Sequence, residues 1–393
     1  MRALVTGIKP YLARLARYSP DYPAAYFAAF AQIRTKKQVF DATNVIGNTG
    51  NYFIGDAAIE AVGRDKATFI DFGVIYKKTE DPAYLAEIHS QFKYVVFVTA
   101  NLLRSDYDAK AEGELLSRFN LPVVVLGIGC QRTRDLKKPL PDGTRRLLEV
   151  LRAREHHIFT RGSESADYLI SQGLRQVWPT GCPSMFVRPS NVMQAIQRLK
   201  LVDWTAKMRI AFSGYLGREP ATVQDVKVFG NRLEGSNYVL QDEHLFYKLE
   251  FDAADDDAIY NDMSGELFRV RAFPGSAAIR DVRLRIFFNT HQWRLMMAMH
   301  DLNFGRRFHG GTAALQVGIP SLMIAVDDRM REMLNQSELP YIDVTDWNAA
   351  KSKKDKIALL RKTMAGFDVD RFCERYLGAA EVFRKRLTSL GLG

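Results

Sequence analysis

From residue 66 onward, the chain alternates between short, nearly continuous apolar runs and longer stretches with apolar residues at helical spacing. ATFIDFG (67–73), YVVFVTA (94–100), LPVVVLGIG (121–129) and HHIFTRG (156–162) are rich in Val, Ile and Phe and predict buried strands. Between them, PAYLAEIHSQF (82–92), AEGELLSRF (111–119) and TRRLLEVLRAR (144–154) predict helices. Strands apolar on both faces must be covered on both faces, so the alternation predicts a parallel sheet between two helical layers. The pattern pauses at PTGCPSMFVRPSNV (179–192), which has three prolines and no periodicity. A second series then runs through MRIAFSG (208–214), NYVLQD (237–242), RLRIFFN (283–289), DLNFGRRF (301–308), IPSLMIAV (319–326) and PYIDV (340–344). FDVDRFCERYLGAAEVFRKRLTSL (367–390) predicts one or two closing helices. Upstream, QVFDA (38–42) predicts a short strand, and the loop after it predicts a helix beginning near Asp56.

The expected fold class is therefore α/β, with two Rossmann-type domains facing a central cleft and helices at the C-terminus. Its expected parts are a basic N-terminal segment (1–37), a first domain (38–195), a second domain (205–365) and a helical tail (366–393). In such sheets, ligands bind at the carboxyl ends of the strands.

Composition narrows this picture. At 393 residues and 47% hydrophobic, the chain can bury two cores. No apolar run approaches the ~18 residues needed to span a bilayer. Lys9, Pro10, Arg14 and Arg17 interrupt the first twenty residues, which do not read as a secretory signal. Cys130, Cys182 and Cys373 are too few and scattered for a disulfide framework or zinc site, so no metal and no bound cofactor are expected. The net charge of +10 sits at the ends: residues 1–37 carry +6, residues 351–393 carry +6, and the body is near neutral. No nucleic-acid reading module accompanies that charge. Leu4, Ile8, Tyr11, Leu12, Leu15 and Tyr18 give the N-terminal segment an amphipathic pattern. Two readings stay open there: contact with an anionic membrane surface, or a helix packed on its own domain. Cytoplasmic residence is expected, at the inner face of the membrane if the first reading holds.

Four stretches carry candidate chemistry. NVIGNTGNYFIGDAAIEAVG (44–63) crowds Asn48, Thr49 and Asn51 among glycines, suiting either turns or the hydroxyls of a sugar. It is not a phosphate-binding P-loop, because no GK[ST] follows. FTRGSESADYLISQG (159–173) places Arg161 at a strand's carboxyl end, where guanidinium suits a carboxylate or phosphate. Ser163 in that stretch reads as a helix cap, with Glu164 in the first turn. PTGCPS (179–184) holds Cys182, which has no evident base and reads as an inert thiol. FGRRFHGGTAALQVGIP (304–320) puts Arg306, Arg307 and His309 between a strand and a helix read over 310–317. A helix N-terminus with free N–H groups favours an anion there, with Gly310 in the first turn. The positive surroundings favour a neutral His309, available for acid–base work, while Arg306 is out of phase and reads as solvated. Arg329 follows the next strand and either faces the same cleft or simply starts a helix. His156 and His157 open a buried strand and read as structural, and His291 and His300 lack ligand spacing.

Taken in order, these stretches resemble the polysaccharide pyruvyl transferase family over roughly residues 38–345. The resemblance rests on the loop Asn48–Asn51, PVVVLGIG, Arg161 and Ser165 within RGSESADYL, the GCPS loop, and Arg307 and His309 followed by A-L-x-x-G-I-P. It implies a GT-B-like fold and transfer of the enolpyruvyl unit of phosphoenolpyruvate onto two sugar hydroxyls. The product would be a cyclic pyruvate ketal, and phosphate would leave. The implied acceptor is a hexose of a surface polysaccharide or its lipid-linked precursor. His309 and Arg307 would then be catalytic, with Arg161, Ser165, Arg329, Gly310, Asn48, Thr49 and Asn51 binding the substrates. Three departures from the family pattern stand out: Thr99–Asn101 replaces a glycine-rich turn, GCPS stands where many relatives have Asp-Pro, and Arg329 replaces a lysine. A GT-B glycosyltransferase remains an alternative, with Glu243 available for a nucleotide ribose, as does a non-catalytic assembly protein.

Overall fold

The computed structural model describes residues 2–11, 17–18, 33–154, 156–214, 220–230, 233–241, 248–273 and 282–393. Among the described residues, the first sheet has seven strands: β1 (Ala3–Gly7), β2 (Arg17–Tyr18), β3 (Ala67–Phe69), β4 (Tyr94–Val98), β5 (Val123–Ile128), β6 (His156–Thr160) and β7 (Val177–Pro179). They pair parallel in the order β2-β3-β1-β4-β5-β6-β7. The strand order reverses between β1 and β4. With this sheet go helices α1 (Lys36–Ile46), α2 (Tyr52–Val62), α3 (Phe72–Lys78), α4 (Pro82–Gln91), α5 (Lys110–Arg118), α6 (Asp142–Ala153) and α7 (Ser163–Ser171). Helix α8 (Pro189–Leu199) leads to the second domain. All six residues of β5 are buried, as a strand covered on both faces requires.

The second sheet contains β8 (Ile210–Ser213), β9 (Asn237–Leu240), β11 (Tyr260–Asn261), β12 (Glu266–Leu267), β14 (Arg283–Ile286), β15 (Leu302–Gly305), β16 (Ser321–Ala325) and β17 (Tyr341–Asp343). A separate antiparallel pair joins β10 (Glu250–Phe251) and β13 (Val270–Ala272). The parallel part runs β14-β9-β8-β15-β16-β17. In chain order that is third, second, first, fourth, fifth, sixth, the Rossmann arrangement. Its order reverses between β8 and β15. Helices α9 (Pro220–Lys227), α10 (Thr290–Met297), α11 (Phe308–Leu315), α12 (Asp328–Gln336), α13 (Val344–Ala349) and α14 (Lys353–Ala365) complete this domain. Two Rossmann-type α/β domains meet at the carboxyl ends of their strands, which is a GT-B-like fold.

Five local expectations are corrected. Within the N-terminal segment, residues 3–7 are not part of a helix: Ala3–Gly7 is an inner strand pairing with β3 and β4, and Leu4 is fully buried. Leu12 and Leu15 lie outside the described residues. QVFDA belongs to helix α1, because Thr35 and Gln38 form a capping box that starts the helix just upstream. Helix α2 starts at Tyr52, four residues before Asp56. In α7 the cap position falls on Gly162, so Ser163 is the first helical residue and caps nothing. Helix α11 begins at Phe308 and so includes His309 in its first turn.

The closing stretch is one 21-residue helix, α15 (Val369–Ser389), which crosses back onto the first domain. Phe383 packs edge-on against Phe159 at 5.4 Å and stacks on Phe186 at 5.0 Å. The Gly393 N–H donates to Val62 O, fixing the end of the chain to α2. No helix among the described residues is long and apolar enough to cross a membrane.

Candidate active site

The site is built where the second sheet reverses. At the end of β15, a side chain on Gly305 would place its Cβ 1.9 Å from Ser213 O, so only glycine lets these strands pair. The next two arginines part company. Arg306 is buried and makes a bidentate ion pair with Asp225, at 2.5 and 3.0 Å, and Trp347 Nε1 donates to the same carboxylate. The expectation of a solvated Arg306 is therefore wrong: it anchors the strand end in the core. Arg307 takes the N-cap position of α11, and His309 and Gly310 fall in that helix's first turn, where backbone N–H groups lack intrahelical acceptors.

The two glycines of α11 make room for other side chains. A Cβ on Gly310 would lie 2.6 Å from Ser213 Oγ and 2.9 Å from Gln241 Nε2. Ser213 ends β8 and Gln241 follows β9, so both stand at strand carboxyl ends. Both groups are buried and have no hydrogen-bond partner among the described residues. A buried donor without a partner costs about 1–3 kcal/mol, which favours a bound acceptor at that place.

The first domain closes over this surface. Thr49 N–H donates to Gln241 O at 3.0 Å, and the Thr49 hydroxyl is buried without a partner among the described residues. A Cβ on Gly50 would fall 2.6 Å from Gln241 Oε1 and 3.0 Å from His309 Cβ, so the loop needs glycine to come this close. Asn48 Oδ1 accepts from Gly50 N–H at 2.9 Å and holds the loop's own turn. Asn51 precedes α2 and lines a neighbouring cavity. Arg161 leaves β6 fully enclosed, its Nη1 donating to Asn101 Oδ1 at 2.8 Å while Nε and Nη2 find no partner among the described residues. Arg329, in the first turn of α12, pairs with Asp327 at 3.1 Å and remains partly open to solvent.

Electrostatics tie these groups together. Burial, then the fields of Arg161, Arg329 and Arg307, hold His309 well below its ordinary value, so its imidazole is neutral. Burial also lowers Arg161, and Arg329 pushes it the same way. The structure thus brings Arg161, Arg307, Arg329 and His309 to one place, beside Thr49 and Gly310.

It does not bring Ser165. That hydroxyl accepts from Cys130 N–H at 3.0 Å and donates to Glu332 Oε2 at 3.0 Å, while Ser165 N–H donates to Glu332 Oε1 at 2.7 Å. Ser165 is therefore a joint between the domains, fully buried and already engaged, rather than a substrate contact. Glu243 lies outside the described residues.

A model of the family described as polysaccharide pyruvyl transferase matches residues 48–328. The chain belongs to this family. Among curated proteins, none matches it. Solved structures similar to it include UDP-GlcNAc 2-epimerase from Neisseria meningitidis bound to UDP-GlcNAc, 12% identical over 99% of this chain and 100% of that one, with a TM-score of 0.47. Anabaena Alr3699/HepE in complex with UDP and glucose is 10% identical over 97% of this chain and 100% of its own, at a TM-score of 0.41. The glycosyltransferase SnogD from Streptomyces nogalater is 14% identical over 97% and 99%, at 0.33. The strand order of the two sheets, rather than likeness at this level, carries the fold assignment.

As a member of the family, the chain is a transferase acting on polysaccharide. Its structure adds site residues that motif reading passed over. Cys182 is not isolated: its sulfur lies 3.6 Å from His309 Nε2 and 3.1 Å from Ser184 Oγ. Asn101, within the Thr99–Asn101 departure, holds Arg161. Ser213 and Gln241 stand at the ends of the apolar runs IAFS and NYVL, where the strand-end rule alone could have found them.

Proposed function

We propose that this transferase uses phosphoenolpyruvate as donor and forms a cyclic pyruvate ketal on a hexose of a surface polysaccharide or its lipid-linked precursor. The observation that carries this reading is the set of buried donors around His309 that lack partners among the described residues: Arg161 Nε and Nη2, Ser213 Oγ, Gln241 Nε2 and Thr49 Oγ1. With Arg307, Arg329 and the first turn of α11, they suit a small ligand carrying both a phosphate and a carboxylate. Phosphoenolpyruvate is such a ligand.

In this reading, the ligand's negative charge offsets the field of the three arginines and lets neutral His309 take up a proton. One sugar hydroxyl adds to C2 while C3 gains a proton, phosphate leaves, and the second hydroxyl closes the ring. Of the two hydroxyl protons, one ends on C3 and the other departs with phosphate. His309 is the group placed to relay them, and the donor's own carboxylate stabilises positive character developing at C2. The acceptor side is assigned to a cavity of about 450 Å³ at the carboxyl ends of β1 and β4, lined among others by Asn51, Phe72, Thr99, Asn101, Tyr107 and Glu112. Aromatic faces beside amides and a carboxylate suit a sugar, and Asn101 joins this cavity to Arg161. Work at the inner face of the cytoplasmic membrane, with the basic termini meeting anionic lipid, belongs to the same proposal.

The test is to incubate the full chain with phosphoenolpyruvate, and separately with nucleotide sugars, over a panel of glycans. Phosphate release is followed together with acceptor mass. A ketal mass increment with matching phosphate is the expected result. Sugar transfer from a nucleotide sugar, with no melting-temperature shift by millimolar phosphoenolpyruvate, overturns the reading.

A further inference from the structure

We propose that Cys182 is a positioning residue for His309, its thiol donating to Nε2 so that the imidazole's single proton resides on Nδ1. The inference deepens the function proposed above and rests on it for its kinetic consequence.

The backbone brings the sulfur there deliberately. Gly181 turns the chain at φ +95°, and Cys182 then takes the position just before the short 3-10 turn Pro183–Phe186. That turn lies along α11 and is fastened at both ends of the helix. At the first turn, Cys182 Sγ meets His309 Nε2 at 3.6 Å. In the middle, Thr312 Oγ1 reaches Met185 Sδ at 3.9 Å. At the last turn, Gln316 Nε2 donates to Ser184 O at 2.6 Å, and Arg294 Nε holds the Gln316 amide at 2.7 Å. The sulfur therefore cannot slide relative to the imidazole without breaking the whole seam between this turn and the helix.

The direction of the hydrogen bond follows from the partners. A neutral imidazole has one donor and one acceptor nitrogen, and the sulfur of Cys182 stands against Nε2. The charged groups facing it are Arg307 on its own element, Arg161 after β6 and Arg329 on α12. Sulfur is a weak acceptor and imidazole nitrogen a strong one, so the thiol proton points to Nε2. Ser184 Oγ, 3.1 Å from the sulfur on its other side, completes the chain of contacts. The buried nitrogens of Arg161 that lack partners among the described residues suit the proposed ligand beside this pair. With the tautomer fixed, His309 meets each substrate with its proton on the same atom, as oriented catalytic histidines require.

The test uses the full-length chain labelled with 15N-histidine, with the His309 signals assigned by their loss in His309→Gln. Wild type is expected to show Nε2 as the unprotonated nitrogen and Nδ1 protonated. Cys182→Ala is expected to give averaged tautomers, and Cys182→Ser to keep the wild-type pattern. In turnover, Cys182→Ala should lower kcat by about 10–100-fold, with KM for phosphoenolpyruvate within about twofold and kcat largely recovered in Cys182→Ser. A protonated Nε2 in wild type, or an unchanged His309 spectrum in Cys182→Ala, overturns the proposal. The spectrum needs no substrate, so a wrong donor assignment would leave this result intact.

Discussion

Each sheet reverses its strand order once, and the two reversal points face different chemistry. Between β8 and β15 the chain gathers Arg307, His309, Ser213 and Gln241 against the first turn of α11, with Arg161 and Thr49 closing from the other domain. Between β1 and β4 the equivalent place is walled by Phe72, Tyr107, Asn51 and Asn101, with one charge of each sign from Arg104 and Glu112. The topology is alike, with parallel strands meeting at their carboxyl ends and a glycine on the inner strand. What differs is which side chain follows each strand. The fold supplies the position, and a few residues after each strand set the charge and shape found there.

The sharpest break in this comparison is His309→Ala, because the proposed reaction passes the protons of both substrates through that residue. Turnover should fall about 10²–10⁴-fold with any acceptor, measured as phosphate release. Arg161→Lys separates the two sides: lysine cannot reproduce guanidinium contacts to both Asn101 and an anion. It should raise the Kd for phosphoenolpyruvate by about 10–100-fold by calorimetry, the size expected for charge-assisted hydrogen bonds. An unchanged Kd would remove Arg161 from the donor side. Tyr107→Ala probes the opposite wall, with acceptor KM expected to rise roughly tenfold, the loss of one aromatic contact. Its Kd for phosphoenolpyruvate should match wild type, and a weakened donor Kd would dissolve the division between the two points.

The smallest effect concerns the tie between the regions. Asp56 on α2 accepts from Tyr11 N–H at 2.7 Å, just beyond β1, and from the Thr290 hydroxyl on α10. Burial pushes its carboxyl up to about 6, partly opposed by Thr290 and Arg294. A raised folded value means the folded chain holds the proton more tightly than the unfolded chain. Stability from this group is therefore full below about pH 4 and is lost as pH rises through about 6, by at most ~1.4 kcal/mol per pH unit. Asp56→Asn should flatten that part of the curve relative to wild type in urea unfolding at successive pH values. Parallel curves would mean that the carboxyl does not titrate there.

Much of this was legible in the sequence because buried parallel strands announce themselves by composition. VVVLGI and SLMIA allow little else. The basic cluster was legible for a related reason: Arg161, Arg307 and His309 stand directly after such strands. Two kinds of feature were not. Residues 3–7 are only five long and sit among basic residues, so their pairing with strands sixty to ninety residues away left no local mark. Partners that meet across the seam were equally hidden. Cys182 and His309 are 127 positions apart, and Ser165 and Glu332 are 167 apart. Arg306 was misread because its partner, Asp225, comes from helix α9, eighty-one positions away. Periodicity reports which face is buried, and it is silent about what a buried charge finds there.

The paired glycines carry one further consequence. Gly7 lies opposite Val98, and Gly305 lies opposite Ser213, each at the seam where its sheet reverses. A methyl at residue 7 would meet Val98 O at 2.1 Å, and one at residue 305 would meet Ser213 O at 1.9 Å. Both obstacles are backbone, which cannot rotate aside. In an exhaustive substitution map, residues 7 and 305 should therefore stand out as matching voids that tolerate no replacement, one in each half of the molecule.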